Sequence, residues 1–401
     1  MLTVTSTLPR RYQNPLTRDS FGTLSDELRR CRQLGHPPSG IKNDGEFNRL
    51  SYMQEELARR LPEVLWWTDS VTSEPVLEML WETTDPLAVL SERFGFPSGS
   101  EAVAWLRGAV SRYYGMSLKD CQRIVMSDGN ALAWISTSQG RFIAKWSRTP
   151  EKFARLDAIS DLTAWLASRG HPVSAPVPSH AGKAQIVVDG ASLNVQRVMP
   201  GYHLDVTDGA QVHRAGATLA RLHADLRAYP QALNMSDVPR TTRSAHELIS
   251  SWLESDLSHL PHAPLDALRG RVAAASAAPI DAQLVHGDFR AANVLTRGAQ
   301  VTAVLDFEEM RFDSPIGELA RSAVMLGTLF HDWGPVPPQV HDALLKGYES
   351  VHPLSGPQRS WWHPLVLWWS LLMVPTSGDD PTGWGRAAER VAHALNSVEE
   401  R

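Results

Sequence analysis

Apolar residues recur at helical spacing between Phe21 and Gly115, in LSDELRRCRQL, FNRLSYMQEELARRL and EAVAWLRGAVSRYY, with Gly and Pro between the runs. The pattern predicts an all-α N-terminal region. Beyond Cys121 the period shortens: RIVM, ALAWIST and RFIAKWS read as strands, separated by the turn signals SDGN and SQG. A helix over Pro150 to Arg169 and a second hairpin, QIVVDG with ASLNVQRVM, complete a small α+β lobe. After Pro200-Gly201 helical spacing returns, is interrupted by one β-like passage from Gln283 to Phe307, and resumes to Arg401 in a Trp-rich tail.

Composition narrows the class. A chain of 401 residues, 43% hydrophobic and 21% charged, suits two or three globular domains and excludes a disordered chain. The net charge of -5 offers phosphate backbones no global attraction, so a general nucleic-acid binder is not expected. Cys31 and Cys121 are too few for a disulfide framework or a Cys-rich zinc site, suit a reducing compartment, and read as incidental. No apolar signal segment opens the chain, and LVLWWSLLMVP is about half the roughly 20 residues a membrane helix needs. A cytoplasmic protein without a membrane partner is expected. The stretch Leu61 to Glu92 holds seven acids and no Lys or Arg, which reads either as a solvated helical surface or as a negative face for a cationic partner.

The chemistry sits in LVHGDFRAANVLTRGAQVTAVLDFEEMRF, residues 284 to 312. Asp288 is followed five residues later by Asn293, and Asp306 ends the apolar run VTAVL, as a buried strand presents a carboxylate to a cleft. Transfer of a γ-phosphoryl group needs such parts: a carboxylate to orient the attacking hydroxyl, and hard oxygen ligands for Mg²⁺. Asp288 suits the first task, Asn293 and Asp306 the second. There is no Walker A pattern, so P-loop chemistry is excluded, and the histidines show no paired-ligand spacing for zinc.

This constellation resembles the catalytic loop and metal aspartate of the aminoglycoside phosphotransferase and choline kinase-like family, whose loop reads H-G-D and whose metal aspartate is commonly followed by an aromatic and an acid, here Asp306-Phe307-Glu308. The resemblance covers about Ala104 to the C-terminus. It implies a bilobal, protein kinase-like α+β fold with a small antiparallel-sheet lobe and a large helical lobe, the N-terminal all-α region being extra. The expected division is a helical extension over 1–104, a nucleotide-binding lobe over 105–200, and a lobe carrying the catalytic loop, metal and acceptor sites over 201–401.

The resemblance also implies roles. Lys145 in RFIAKWS stands where the family's lysine contacts the α- and β-phosphates of ATP, and Ser127, Asp128, Gly129 and Asn130 stand where its phosphate-covering loop lies. Backbone groups of Arg197 and Met199 stand at the hinge that pairs with adenine. The lysine's usual Glu partner is missing from the small-lobe helix, so Asp157 or Asp161 is expected to replace it, unless Lys145 is held otherwise. Arg290 either contacts the γ-phosphate or bridges to Glu308 or Asp313, while His223, His286, Asp313 and Glu318 read as structural. Trp361, Trp362, Trp368 and Trp369 read first as core and second as a wall of the acceptor site. The expected function is ATP- and Mg²⁺-dependent phosphorylation of a hydroxyl on a small molecule, with an aminoglycoside or another natural product foremost. The alternatives are a peptide Ser/Thr kinase in modified-peptide biosynthesis, whose N-terminal helices hold a partner, and a nucleotide-binding pseudokinase scaffold.

Overall fold

Period-2 alternation after Leu118 builds the sheet on which the site rests. The structure, a computed structural model, describes residues 74–399 apart from 233–234, 236–237, 331–332 and 377–379. The helical runs before residue 74, Cys31 and the first part of the acidic stretch lie outside the described residues. Strands β2 (Leu118–Met126), β3 (Ala131–Thr137), β4 (Gly140–Ser147), β5 (Ile186–Val188) and β6 (Ala191–Arg197) pair antiparallel in the order β2-β3-β4-β6-β5. A further strand, β1 (Val76–Met79), joins the edge parallel to β2. The helical reading of Phe21 to Gly115 expects no strand there. Four residues are too few to show a period of two against the strong helical spacing that follows.

Two helices precede the antiparallel strands, as their spacing predicts. Helix α1 (Pro86–Phe94) starts at Asp85, whose carboxylate accepts from the Ala88 N–H at 2.8 Å, and α2 (Gly99–Tyr114) starts at Ser98. Their apolar stripes bury Leu90, Phe94, Leu106 and Val110 against Ile124, Ile135, Phe142 and Trp146 on one face of the sheet. Each such burial is worth about 1.5–3 kcal/mol. Residues 86–110 thus share a core with the sheet.

The other face carries the site. Leu132, Lys145 and Asn194 are register partners across β3, β4 and β6, so their side chains leave the sheet on the face opposite Ala144 and Trp146. Helix α3 (Phe153–Ser168), preceded by a 3-10 turn over Pro150–Lys152, turns Leu156, Ser160, Leu162, Thr163 and Leu166 inward.

Beyond the linker 198–201 the chain enters the large lobe through β7 (Tyr202–His203). Helices α4 (Gly209–Arg227), α5 (Ala245–Leu253) and α6 (His262–Ala274) come first, then β8 (Gln283–Val285), β9 (Val294–Arg297), β10 (Gln300–Val304) and β11 (Arg311–Asp313). Helices α7 (Pro315–Met325), α8 (Pro338–Glu349), α9 (Gly356–Leu372) and α10 (Trp384–Glu399) complete it. The protein therefore has the expected two-lobed, kinase-like α+β architecture. Trp361 and Trp362 are buried in the helical core, with the Trp361 indole donating to the Ser276 carbonyl at 2.9 Å, whereas Trp368 and Trp369 are half-buried. Among the described residues no helix is long and apolar enough to cross a membrane. Cys121 is a buried free thiol, pushed up to about 12 by burial.

Candidate active site

The loop from His286 to Asn293 leaves β8 and is pinned from behind by a buried carboxylate. Glu318, in the first turn of α7, accepts from the backbone N–H groups of His286 (3.1 Å) and Gly287, and pairs with His223 Nε2 at 2.6 Å. His223 Nδ1 in turn meets the Tyr348 hydroxyl at 2.9 Å. Burial opposes charge on Glu318, yet the His223 and Gly287 hydrogen bonds hold its carboxyl at about 2. Gly287 has φ +86°, and a Cβ there would overlap the Glu309 carbonyl, so this position requires glycine. The His286 ring accepts the Asp288 N–H at Nδ1 (3.1 Å) and donates from Nε2 to the Leu305 carbonyl (2.8 Å), joining the loop to the residue before Asp306.

Asp288 is gripped on both carboxylate oxygens. Oδ2 accepts from Arg290 Nε and Asn293 Nδ2, each at 2.9 Å, and Oδ1 faces the Arg321 guanidinium at 3.3 Å. Although burial pushes the other way, the Arg290 and Arg321 charges keep the Asp288 carboxyl below the usual carboxylate range. A base so stabilised takes up protons weakly and is suited to orienting a hydroxyl.

The proposed metal residues lie beside it. The Leu305 N–H donates to the Asn293 carbonyl at 2.8 Å, which sets the end of β10 against the catalytic loop. Asp306 follows in a left-handed conformation, φ +57°, an uncommon state for a non-glycine residue and one concentrated at functional sites. Its carboxylate stands 3.7 Å from Lys145 Nζ and is 44% exposed, leaving oxygen free for a cation. One carboxylate and one amide fit Mg²⁺, which completes its shell with water and substrate phosphates.

Lys145 is held by Glu308 and not by the small-lobe helix. Asp157 and Asp161 are exposed on α3 while Lys145 pairs with Glu308 and Asp306, which corrects the expectation of an aspartate partner on that helix and leaves the alternative, that Lys145 is held otherwise. The reason is rotation: Leu156 and Ser160 are the inward residues of that turn, Ser160 bonded to Gln185 at 2.8 Å, and positions 157 and 161 lie roughly 60° and 100° around the helix from Ser160, on the side away from Leu156. Burial works against charge on Lys145, but Glu308 and Asp306 raise it above the usual lysine range. Glu308 also accepts from Asn130 Nδ2 at 2.7 Å, so the loop 127–130 enters the site through Asn130. In that loop the Ser127 N–H donates to the Asn130 carbonyl at 2.9 Å, the Gly129 carbonyl accepts from Ser147 Oγ at 2.6 Å, and Asp128 is exposed.

Of the two courses expected of Arg290, the bridge to Glu308 or Asp313 is not formed. Besides Asp288 the side chain reaches the carbonyls of Thr328 and Leu329, at 3.4 and 3.3 Å, and lies over the Trp333 ring, while Asp313 pairs with Arg311. These contacts hold the Arg290 guanidinium against the Asp288 carboxylate. Arg197 ends β6 with its guanidinium over Phe142, and the linker containing Met199 joins β6 to β7.

Sequence reasoning missed Arg321 and Arg155. Arg321 stands three residues after Glu318 on α7, a spacing that places both on one helix face, and it packs over Trp369 while reaching Asp288. Arg155 donates from α3 to the carbonyls of Glu308 and Met310, the second at 3.0 Å. Of the described acids in the stretch 61–92, Glu78 pairs with Arg123, Glu82 with Arg93, Glu74 accepts the Ser100 N–H, and Asp85 caps α1. Each of these four is engaged within the small lobe.

Comparison with known proteins bears on this geometry. The chain is 23% identical over 261 residues to the homoserine kinase of Neisseria meningitidis serogroup B, covering 64% of this chain and 82% of that protein. It is 24% identical over 234 residues to the homoserine kinase of Caulobacter vibrioides, covering 55% and 69%. Among solved structures, a macrolide 2′-phosphotransferase from Brachybacterium faecium aligns at 20% identity and a TM-score of 0.48 over 74% of this chain and 99% of its own. A spectinomycin phosphotransferase aligns at 13% and 0.47 over 74% and 98%. Residues 127–360, more than half of the sequence and including Lys145, Asp288, Asn293 and Asp306, match a family model, and the chain belongs to the phosphotransferase enzyme family.

Proposed function

We propose that this enzyme transfers the γ-phosphoryl group of ATP to a hydroxyl of a small molecule. The observation that carries the reading is one connected set of contacts: Asp288 to Asn293, Asn293 to Leu305 beside Asp306, Asp306 to Lys145, and Lys145 to Glu308. A loose transition state asks little covalent chemistry of the protein, so positioning and charge do the work. Asp288, locked by Arg290 and Arg321, accepts the hydrogen bond of the attacking hydroxyl and aims its oxygen. Lys145 faces the α- and β-phosphates, and backbone groups at Arg197 and Met199 pair with adenine. Asn293 and Asp306 hold Mg²⁺, which when bound neutralises charge on the phosphates. In this reading the nucleotide-binding lobe takes in the described residues from 74 onward, because α1 and α2 share the sheet's core.

The acceptor is a small hydroxylated compound. The homoserine kinases among its relatives support that size class, and within the acidic stretch Glu78 and Glu82 are already paired with Arg123 and Arg93. Purified protein with Mg²⁺ and ATP, followed for ADP release against homoserine, amino alcohols, macrolides, aminoglycosides and a Ser-containing peptide, tests the reading. Acceptor-dependent ADP release with a small hydroxyl compound is expected. Release with the peptide alone would overturn the acceptor class, and failure to bind ATP would overturn the reaction.

A further inference from the structure

Lysine is scarce in this chain, six residues against 33 arginines, yet two of the six flank the same short loop. Lys145 approaches Glu308 from β4. Lys152 ends the 3-10 turn before α3, and its Nζ lies against the backbone of Gly129, where a Cβ would overlap it. The same ammonium stands 4.0 Å from Asp128 Oδ2, a carboxylate 88% exposed, so this pair is worth little. The neighbouring arginines are committed elsewhere: Arg290 and Arg321 to Asp288, Arg155 to the carbonyls of Glu308 and Met310. Lys152 keeps a 39% exposed side chain, and its charge helps to keep Glu308 ionised.

We infer that Lys152 is a second phosphate-contacting cation, closing on the distal phosphates of the nucleotide from the side of the loop opposite Lys145. The inference rests on the reading above and adds a residue to it. A triphosphate carries three to four negative charges, and in this structure the Glu308 carboxylate, paired with Lys145 and with the Asn130 amide on its Oε2, is the anion at the loop. Gly129 is what allows the arrangement. Its missing side chain lets the Lys152 ammonium lie against the loop, and the Ser147 hydroxyl on the Gly129 carbonyl keeps that stretch of backbone down on β4.

Two variants reach the same contact by different routes. Lys152→Gln removes the charge. Gly129→Ala displaces it, because Gly129 is not among the left-handed glycines and the overlapping atom is the far end of a flexible side chain, so the loop need not refold. Calorimetry on the full-length protein with Mg²⁺ and ATP, ADP or AMP separates a phosphate contact from a structural one. Both variants are expected to bind ATP about tenfold more weakly, the loss of one charge-assisted contact. AMP affinity is unchanged, Lys152→Arg restores ATP binding, and the double variant is no worse than either single one. Unaltered ATP affinity in Lys152→Gln, or the same loss for AMP as for ATP, would overturn the assignment. A wild-type protein that binds none of the three nucleotides would overturn the reaction itself before any variant is made.

Discussion

Glu308 reaches from the segment after β10 to Lys145 on β4, an ion pair that joins the two lobes. The Asn130 amide shares the same carboxylate, and Arg155 ties the Glu308 backbone to α3. The lysine is thus aimed by the large lobe, and its orientation depends on how the lobes meet. An acid on the small-lobe helix would have tied it to one lobe alone.

If this pair aims Lys145, Glu308→Gln raises the KM for ATP at least about tenfold, since it leaves a buried ammonium with only the more distant Asp306 carboxylate. Asp157→Asn, on the exposed side of α3, behaves as wild type. Steady-state ADP release at varied ATP measures both. Equal losses in the two variants would return the role to α3.

Asp306→Ala is expected to abolish turnover and to remove the Mg²⁺ dependence of nucleotide binding, because Asn293 supplies an amide oxygen and no charge. Nucleotide titrations with and without Mg²⁺ report the second effect independently of the acceptor. A variant whose ATP affinity still rises with Mg²⁺ would show that the cation is held elsewhere.

How much of this was legible in the chain depended on distance along it. Asp288, Asn293 and Asp306 lie within 19 positions, two strands set their geometry, and local patterning reveals strands. Lys145 is named by the resemblance, on a strand that local patterning reveals. Its partner was not legible, since residues 145 and 308 meet only through the packing of two lobes, which no short-range period encodes. The same limit hid Arg321 behind the Asp288 motif, although its spacing from Glu318 placed it on the right helix face. Val76–Met79 escaped for a different reason: a four-residue edge strand, exposed at its first position, is stabilised by β2 and leaves almost no pattern of its own.

The depressed carboxyl of Asp288 makes a pH prediction. Arg290 and Arg321 favour its ionised form, so kcat stays flat as pH falls from neutrality through the usual carboxylate range and declines only below it. Arg290→Ala removes the larger stabilising charge and moves that decline to higher pH. Asp288→Asn cuts kcat by about 10² to 10⁴ with ATP affinity nearly intact. A pH profile of kcat that is identical in wild type and Arg290→Ala would separate Arg290 from Asp288.

Glu318 links the same loop to stability. Its carboxyl lies at about 2 in the folded protein, against roughly 4.3 in an unfolded chain. A depressed acid stabilises the fold above the unfolded value and loses that contribution as pH falls through the folded one. The window is therefore from about pH 4.5 down to about pH 2, and the linkage is worth on the order of 3 kcal/mol. Glu318→Gln should unfold earlier in denaturant at pH 7, with the gap to wild type closing across that window. A gap independent of pH would assign the loss to packing alone.

The last prediction concerns the helices ahead of the sheet. Leu106 on α2 is fully buried against the small-lobe core, beside the face that carries Trp146, the residue next to Lys145. Leu106→Ala should therefore cost about 2–5 kcal/mol through lost burial and a cavity. Leu87 on α1 points outward at 48% exposure, and Leu87→Ala should stay within about 0.5 kcal/mol of wild type. Denaturant titrations of the two variants, followed by ATP binding under conditions where each is folded, distinguish a core from an appendage. The Leu106 variant should lose stability and retain nucleotide affinity once folded. A chain beginning at residue 105 lacks β1, α1 and the first turns of α2, and should give no folded small lobe at all. A soluble, ATP-binding product from that truncation would show that α1 and α2 are added to the nucleotide-binding lobe and not part of its foundation.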